Sequence, residues 1–232
     1  MIFTVEGNIG SGKTTLLSEI KHLKFDKPHI VVFERVDEWS KFKDNEGMDI
    51  LSLFYKDKTR YSYIFQSYVL FSRLHHLLDT IKKNPNHIII CERCHLTDLY
   101  VFAKSLYESK DMSDMEWNIY NMWHKQLRDM LNLNIDGCIF VNTSPEVCDS
   151  RIRMRNRTGE SCIPLEYLKT LHEKHEDWLL NRPKKDDKKW FSLDKDTICS
   201  VLTINGNIDI YNHEERENQY KQIIEYINEE TN

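Results

Sequence analysis

Five short runs along the chain are apolar and rich in β-formers: "MIFTVE" (1–6), "HIVVFE" (29–34), "HIIICE" (87–92), "DGCIFVN" (136–142) and "CSVLTI" (199–204). Continuous apolar runs of this length predict strands buried on both faces. Between them the pattern changes to a helical period. The segments "KTTLLSEIKHL" (13–23), "YSYIFQSYVLFSRLHHLLDTIKK" (61–83), "MEWNIYNMWHKQLRDML" (115–131) and "LEYLKTLHEKHEDWLL" (165–180) predict helices. The tail "HEERENQYKQIIEYINEE" (213–230) reads as a charged amphipathic helix, and "RPKKDDKK" (182–189) as a solvated loop. Strands alternating with helices predict an α/β fold with a five-stranded parallel sheet, its strands joined by crossover connections. No internal repeat interrupts this order.

A length of 232 residues fits a single domain spanning 1–232. Hydrophobic residues are 40% and charged residues 30%, an ordinary soluble composition. The net charge of -5 argues against a general nucleic-acid partner. Six cysteines in a chain this long form no dense framework, which favours reduced thiols and a cytoplasmic location. The opening "MIFTVEG" is already strand-like, so no targeting segment is expected ahead of it. No apolar run approaches the roughly 20 residues of a membrane span.

The first predicted strand leads into "GNIGSGKT", Gly7 to Thr14, and then into a predicted helix. This is G-x-x-x-x-G-K-[ST] in the context that gives the motif its meaning. Gly7, Gly10 and Gly12 permit backbone angles that turn amides toward an anion, and the helix N-terminus adds positive potential. Asn8, Ser11 and Thr15 complete the loop and its exit. Lys13 is expected to reach the β and γ phosphates of a nucleotide, and the Thr14 hydroxyl to bind Mg²⁺.

A second motif points elsewhere. "CERCH", Cys91 to His95, matches C-x-x-C-H, a haem-attachment pattern. Zinc would need a second Cys/His pair at metal spacing, and Cys138, Cys148, Cys162 and Cys199 are scattered singly. Cys91 is expected to face the core as a small apolar residue. The pair between the cysteines carries more meaning. Glu92 and Arg93 end a predicted strand, as Glu34 ends another, and ligands of open α/β sheets gather at such ends. His172 and His175 lie three apart on a predicted helix with no third ligand in sight, and are read as structural.

The ordered set "GNIGSGKTT", "FERVDEW", "FQSYVLFSR", "ERCHLTDLYVF", "RIRMRNRTGE" and "PLEYLKTLHEKHEDWLL" resembles the deoxynucleoside kinase family of deoxycytidine and deoxyguanosine kinase type. The resemblance runs from the first strand to the last. It implies a three-layer P-loop fold with an Arg-rich lid at about 151–162. It also implies transfer of the ATP γ-phosphoryl to the 5′-hydroxyl of a deoxynucleoside, usually by a homodimer. In that pattern Glu34 is the general base, Glu92 is associated with Mg²⁺ together with Thr14, and Arg93 with the 5′-oxygen and the phosphates. Arg151, Arg155 and Arg157 belong to the lid, and Asp209 to the adenine-contacting loop. Three positions depart from the family: Arg35 stands where proline is common, Cys94 where serine is common, and Ile210 where an aromatic neighbours the acidic residue of the adenine-contacting loop.

The resemblance also implies the acceptor pocket. Gln66 and Arg73, seven apart on one helix, contact the base, with Asp98 paired to Arg73. Trp39, Phe65 and Phe102 enclose the ring, with Leu51 and Val69 as apolar walls. Tyr55 and Glu160 hold the 3′-hydroxyl. Read from the residues alone, Gln66 is also compatible with a helix surface, and Arg73–Asp98 with an inter-helix ion pair. Two other readings share part of these motifs: a nucleoside monophosphate kinase of thymidylate kinase type, and a non-catalytic nucleotide-binding protein. The first needs an extra cationic site for a phosphate. The carboxylate of Asp98 beside Arg73 argues against it.

Overall fold

The computed structural model of the chain describes residues 1–155, 157, 163–181, 190–192, 198–209 and 212–231. The expected loop at 182–189, Ile210, and positions 156 and 158–162 of the expected lid, Glu160 and Cys162 among them, lie outside the described residues.

All five apolar runs form strands. They are β1 (Ile2–Glu6), β2 (His29–Val32), β3 (Ile88–Glu92), β4 (Gly137–Asn142) and β6 (Ile198–Asn205). These five are mutually parallel, in the order β2-β3-β1-β4-β6. A sixth strand, β5 (Trp190–Ser192), pairs antiparallel with the outer edge of β6. No apolar run announced it. Three residues are too short for a pattern to register.

Alternation along the strands builds two cores. Phe3 and Val5 of β1, Ile88 and Ile90 of β3, and Ile139 of β4 point to one face. There they meet α1 (Lys13–Ile20) through Leu17 and Ile20, and α10 (His213–Thr231) through Ile223 and Ile227. Ile2, Ile89, Cys138 and Phe140 point to the other face. That face is covered by α3 (Ile50–Lys56), α4 (Lys58–Lys83), α7 (Asp114–Leu131) and α9 (Leu165–Leu179). The result is the expected helix–sheet–helix sandwich.

The helix ends follow from local chemistry. Asp57 caps α4 by accepting from the Arg60 amide at 3.1 Å. α7 opens with a capping box: the Glu116 carboxylate accepts from the Ser113 amide at 2.8 Å, and Ser113 Oγ accepts from the Glu116 amide at 3.3 Å. Ser113→Ala is expected to cost about 1 kcal/mol of stability with kinetics unchanged, read by denaturant titration.

Three short pieces near the strand ends had no periodic signature: α2 (Val36–Trp39), α3, and the stretch after β3. That stretch is a turn of α-helix, α5 (His95–Thr97), which passes into a π-helical segment, Asp98–Ala103, and then α6 (Lys104–Glu108). π-helical turns inside α-helices are uncommon and recur at functional sites. This one carries Asp98 and Phe102. After β4 comes α8 (Pro145–Arg155). Among the described residues no helix is long and apolar enough to cross a membrane.

Candidate active site

The loop between β1 and α1 has positive φ at Gly7, Gly10 and Gly12. At Gly10, with φ 77°, a Cβ would stand 2.6 Å from the Cys148 carbonyl oxygen, so both the angle and the space require glycine. The Lys13 ammonium donates to the Asn8 carbonyl at 2.7 Å, folded back within its own loop. Asn8 in turn donates to Leu168 O at 2.8 Å and ties the loop to α9. Burial, and next the positive field of Arg93, push the Lys13 amine down to about 7, with Glu92 and Glu34 pulling back.

The charged residues expected at strand ends converge on this loop. Thr14 Oγ1 donates to Glu92 Oε1 at 2.8 Å. The other Glu92 oxygen lies 3.4 Å from the Glu34 amide. Glu34 itself is gripped from two sides, by Arg73 Nη2 at 2.7 Å and Arg93 Nε at 3.8 Å. Burial pushes the Glu34 carboxyl up. The two guanidinium groups outweigh it and hold the group below the usual glutamate range.

Arg73 is the hub of the cluster. Its Nε and Nη2 donate to the two Asp98 oxygens at 2.9 and 3.1 Å, and Nη1 donates to the Glu92 carbonyl at 2.9 Å. Burial works against the charge on Arg73, but Asp98 and Glu34 more than offset this, so the guanidinium stays protonated. The sequence suggested the Asp98 pair. The bond from Arg73 to Glu34 joins the expected base-reading pair to the expected general base.

One cavity of about 970 Å³ joins all of this. Its walls include Gly10 to Thr15, Glu34, Glu92, Arg93, Tyr55, Leu51, Val69 and Phe102. Gly7 and Asn8 are loop residues outside its lining. Trp39 meets Phe65 edge-on at 5.3 Å between ring centres, and Phe54 stacks on Phe65 at 4.8 Å. Phe54 was not foreseen, because it reads as one more apolar residue in a short helix. Gln66 is 3% exposed, lines the cavity, and its Oε1 is a buried acceptor with no donor among the described residues. A surface role for Gln66 is therefore excluded. An orphaned amide oxygen in a lined cavity is suited to a polar ligand edge.

At the opposite part of the cavity Arg155, Arg157 and Asp209 contribute to the wall. Arg151 does so too, but its guanidinium is engaged with three carbonyls. It donates to Ser11 and Gly206 at 3.2 and 2.9 Å and to Ile208 at 3.2 Å. It thus fastens the phosphate loop to the turn after β6. Arg216, Gln219 and Tyr220 of α10 line this region as well. The charged terminal helix gave no sequence sign of that.

The "CERCH" residues are accounted for by packing. Cys91 lies in the core and its thiol donates to Phe3 O at 3.4 Å. Burial, with the Glu6 carboxyl nearby, pushes that thiol up to about 12. Cys94 caps α5, and its amide donates to Thr97 Oγ1 at 3.3 Å. Arg35, at another departure from the family pattern, turns outward to Glu38 at 2.8 Å.

Residues 3–231 match the deoxynucleoside kinase family model. A probable deoxycytidine kinase of Fowlpox virus (strain NVSL) is 34% identical, over 97% of this chain and 88% of its own length. The deoxycytidine kinase of Homo sapiens is 33% identical over 97% of this chain and 89% of its own. A mitochondrial deoxyguanosine kinase of Xenopus laevis is 33% identical over 77% of this chain and 73% of its own.

Proposed function

The chain belongs to the deoxynucleoside kinase family, and from that premise we propose that it phosphorylates deoxycytidine, with one or both purine deoxynucleosides as further substrates. Members of this family are ATP-dependent phosphotransferases acting on deoxynucleosides, and this chain is one of them. The observation that carries the finer reading is the continuity of the cavity. The phosphate loop, the Glu34–Arg93 pair and the aromatic pocket around Gln66 open into one space.

In this reading the deoxynucleoside base lies between Trp39, Phe65 and Phe102, with Gln66 and Asp98 on its polar edge. Tyr55 closes on the sugar beside C2′, which disfavours ribose, and Glu160 joins it at the 3′-hydroxyl. The 5′-hydroxyl then meets Glu34, which accepts its proton as the bond to phosphorus forms. Phosphoryl transfer passes through a loose transition state, so charge placed around the migrating group matters more than deprotonation. Lys13, Arg93 and the lid residues Arg155 and Arg157 supply that charge. Binding of a triphosphate restores a full positive charge on Lys13, against the burial that lowers it. Arg151 contributes by holding the donor loop and the phosphate loop together, with Asp209 at the adenine end.

Mg²⁺ fits the donor set. Thr14 Oγ1 and the Glu92 carboxylate are hard oxygens 2.8 Å apart beside the phosphate loop. Mg²⁺ in such sites takes one or two protein oxygens and fills its shell with phosphates and water. Bound there with the nucleotide, it would neutralise phosphate charge. A homodimer through α4 and α7 is part of the same proposal. Phe71 of α4 and Met122, Trp123 and Met130 of α7 are large, apolar and exposed. The chain would act as one cytoplasmic kinase domain.

ATP consumption should be measured with the four deoxynucleosides and with their monophosphates. Turnover of deoxycytidine, weak turnover of thymidine and none of the monophosphates is expected. Turnover of a monophosphate in preference to every nucleoside would replace this reading with the monophosphate kinase one. No turnover of any acceptor would favour a non-catalytic nucleotide-binding role.

A further inference from the structure

We propose that His175 is a positioning residue for phosphoryl transfer, holding the Arg93 guanidinium in place through its Nε2 lone pair. The proposal rests on the reading of Arg93 as a ligand of the migrating phosphoryl group.

The tautomer of His175 follows from its partners. The residue is fully buried on α9, with its ring parallel to that of Phe140 at 6.1 Å. Its Nδ1 lies 2.6 Å from the Leu171 carbonyl oxygen. A carbonyl only accepts, so Nδ1 carries the proton and Nε2 keeps its lone pair. Arg93 Nη1 stands 3.5 Å from that lone pair, at the long end of hydrogen-bond range. A guanidinium is donor-only, so the neutral ring in this tautomer is the form that can receive it. The positive field of Arg93 and complete burial both disfavour an imidazolium here.

Arg93 needs such support. It adopts a left-handed backbone, φ 62°, at the end of β3, where its amide bonds to Val5 O at 3.1 Å. Its guanidinium lies over the Phe102 ring at 4.8 Å and 3.8 Å from Glu34. Glu34 alone would draw the cation fully onto its carboxylate and tie up both groups. His175 holds Nη1 from another direction, so part of the fork stays available to phosphoryl oxygens.

The test compares wild type with His175→Leu, His175→Asn, His175→Gln and Arg93→Leu, using full kinetics and thermal melting on each. Gln sets an amide oxygen near the Nε2 position and keeps an acceptor for Arg93. Asn reaches only the Nδ1 position and keeps the Leu171 bond alone. The expected result is a kcat about 10- to 100-fold lower in the Leu and Asn variants, as misplacement of a reacting group by an ångström can cause. Nucleoside KM should stay within about twofold, and Gln should recover most of kcat. If the Leu variant fails to fold, the Gln–Asn difference decides. Equal kcat in Gln and Asn, or wild-type kcat in a folded Leu variant, would overturn the role of His175. Wild-type kcat in Arg93→Leu would instead overturn the reading of Arg93 on which it rests.

Discussion

Glu34→Gln is expected to lower kcat by about 10²- to 10³-fold, with the nucleoside KM changing less than about twofold. The substitution keeps shape and size but removes the proposed proton acceptor. The effect belongs in the lower part of the range for general-base loss, because the transition state is loose and the hydroxyl is barely deprotonated when it forms. Part of the loss is electrostatic: Arg73 and Arg93, at 2.7 and 3.8 Å, lose the anion that organises them. The pH dependence of the wild type has a definite sign. A carboxyl held below its ordinary range is ionised at neutral pH and gains a proton only when pH falls through its lowered value. The acid limb of kcat should therefore lie below the usual glutamate range. Steady-state kinetics and a pH–rate profile check both points. A Gln variant with near wild-type kcat would move the base elsewhere.

How much of this was legible in the sequence depends on range. The five parallel strands were legible because each is buried on both faces and so reads as a continuous apolar run. β5 was not, since a three-residue edge strand has no room for a pattern. The π-helical segment, which packs against α4 and α9, was not, because no run of residue types marks a π turn. The phosphate loop was legible from glycine spacing between a strand and a helix. The acids and Arg93 were legible because strand ends in such sheets collect ligands. Side-chain contacts across the sheet were less so. The bond from Arg73 to Glu34 spans 39 positions, and nothing at either end marks it. Arg151 looked like the arginines after it, yet its carbonyl partners come from two other loops. His175 read as a structural histidine, and burial alone would have kept it so. Its tautomer appears only once the Leu171 carbonyl and Arg93 are placed on either side of the ring.

Replacing the Arg73–Asp98 pair should change which base is accepted, and the single and double variants should behave differently. Cytosine presents an exocyclic amine where thymine presents a carbonyl, so thymine would face the Asp98 carboxylate acceptor to acceptor. Its 5-methyl group would also point toward Arg73. A buried polar mismatch costs about 1–3 kcal/mol, or roughly tenfold to a hundredfold in kcat/KM. Arg73→Met with Asp98→Ala removes both charges and should raise the thymidine to deoxycytidine ratio of kcat/KM by about that factor. Absolute rates should fall for every substrate, because Glu34 loses its 2.7 Å partner as well. Burial then acts on that carboxyl with Arg93 and Lys13 opposing it but Arg73 gone, which moves its proton affinity upward. Arg73→Met alone should be the worst variant. It strands Asp98, 1% exposed, without its cation, and removing one partner of a buried pair costs about 3–5 kcal/mol. A melting point lower by roughly 10 °C and activity near background with every nucleoside are expected. Kinetics on four deoxynucleosides, with melting curves for all three proteins, separate these effects. A wild type that prefers thymidine, or a double variant with an unchanged ratio, would mean that this pair anchors Glu34 without reading the base.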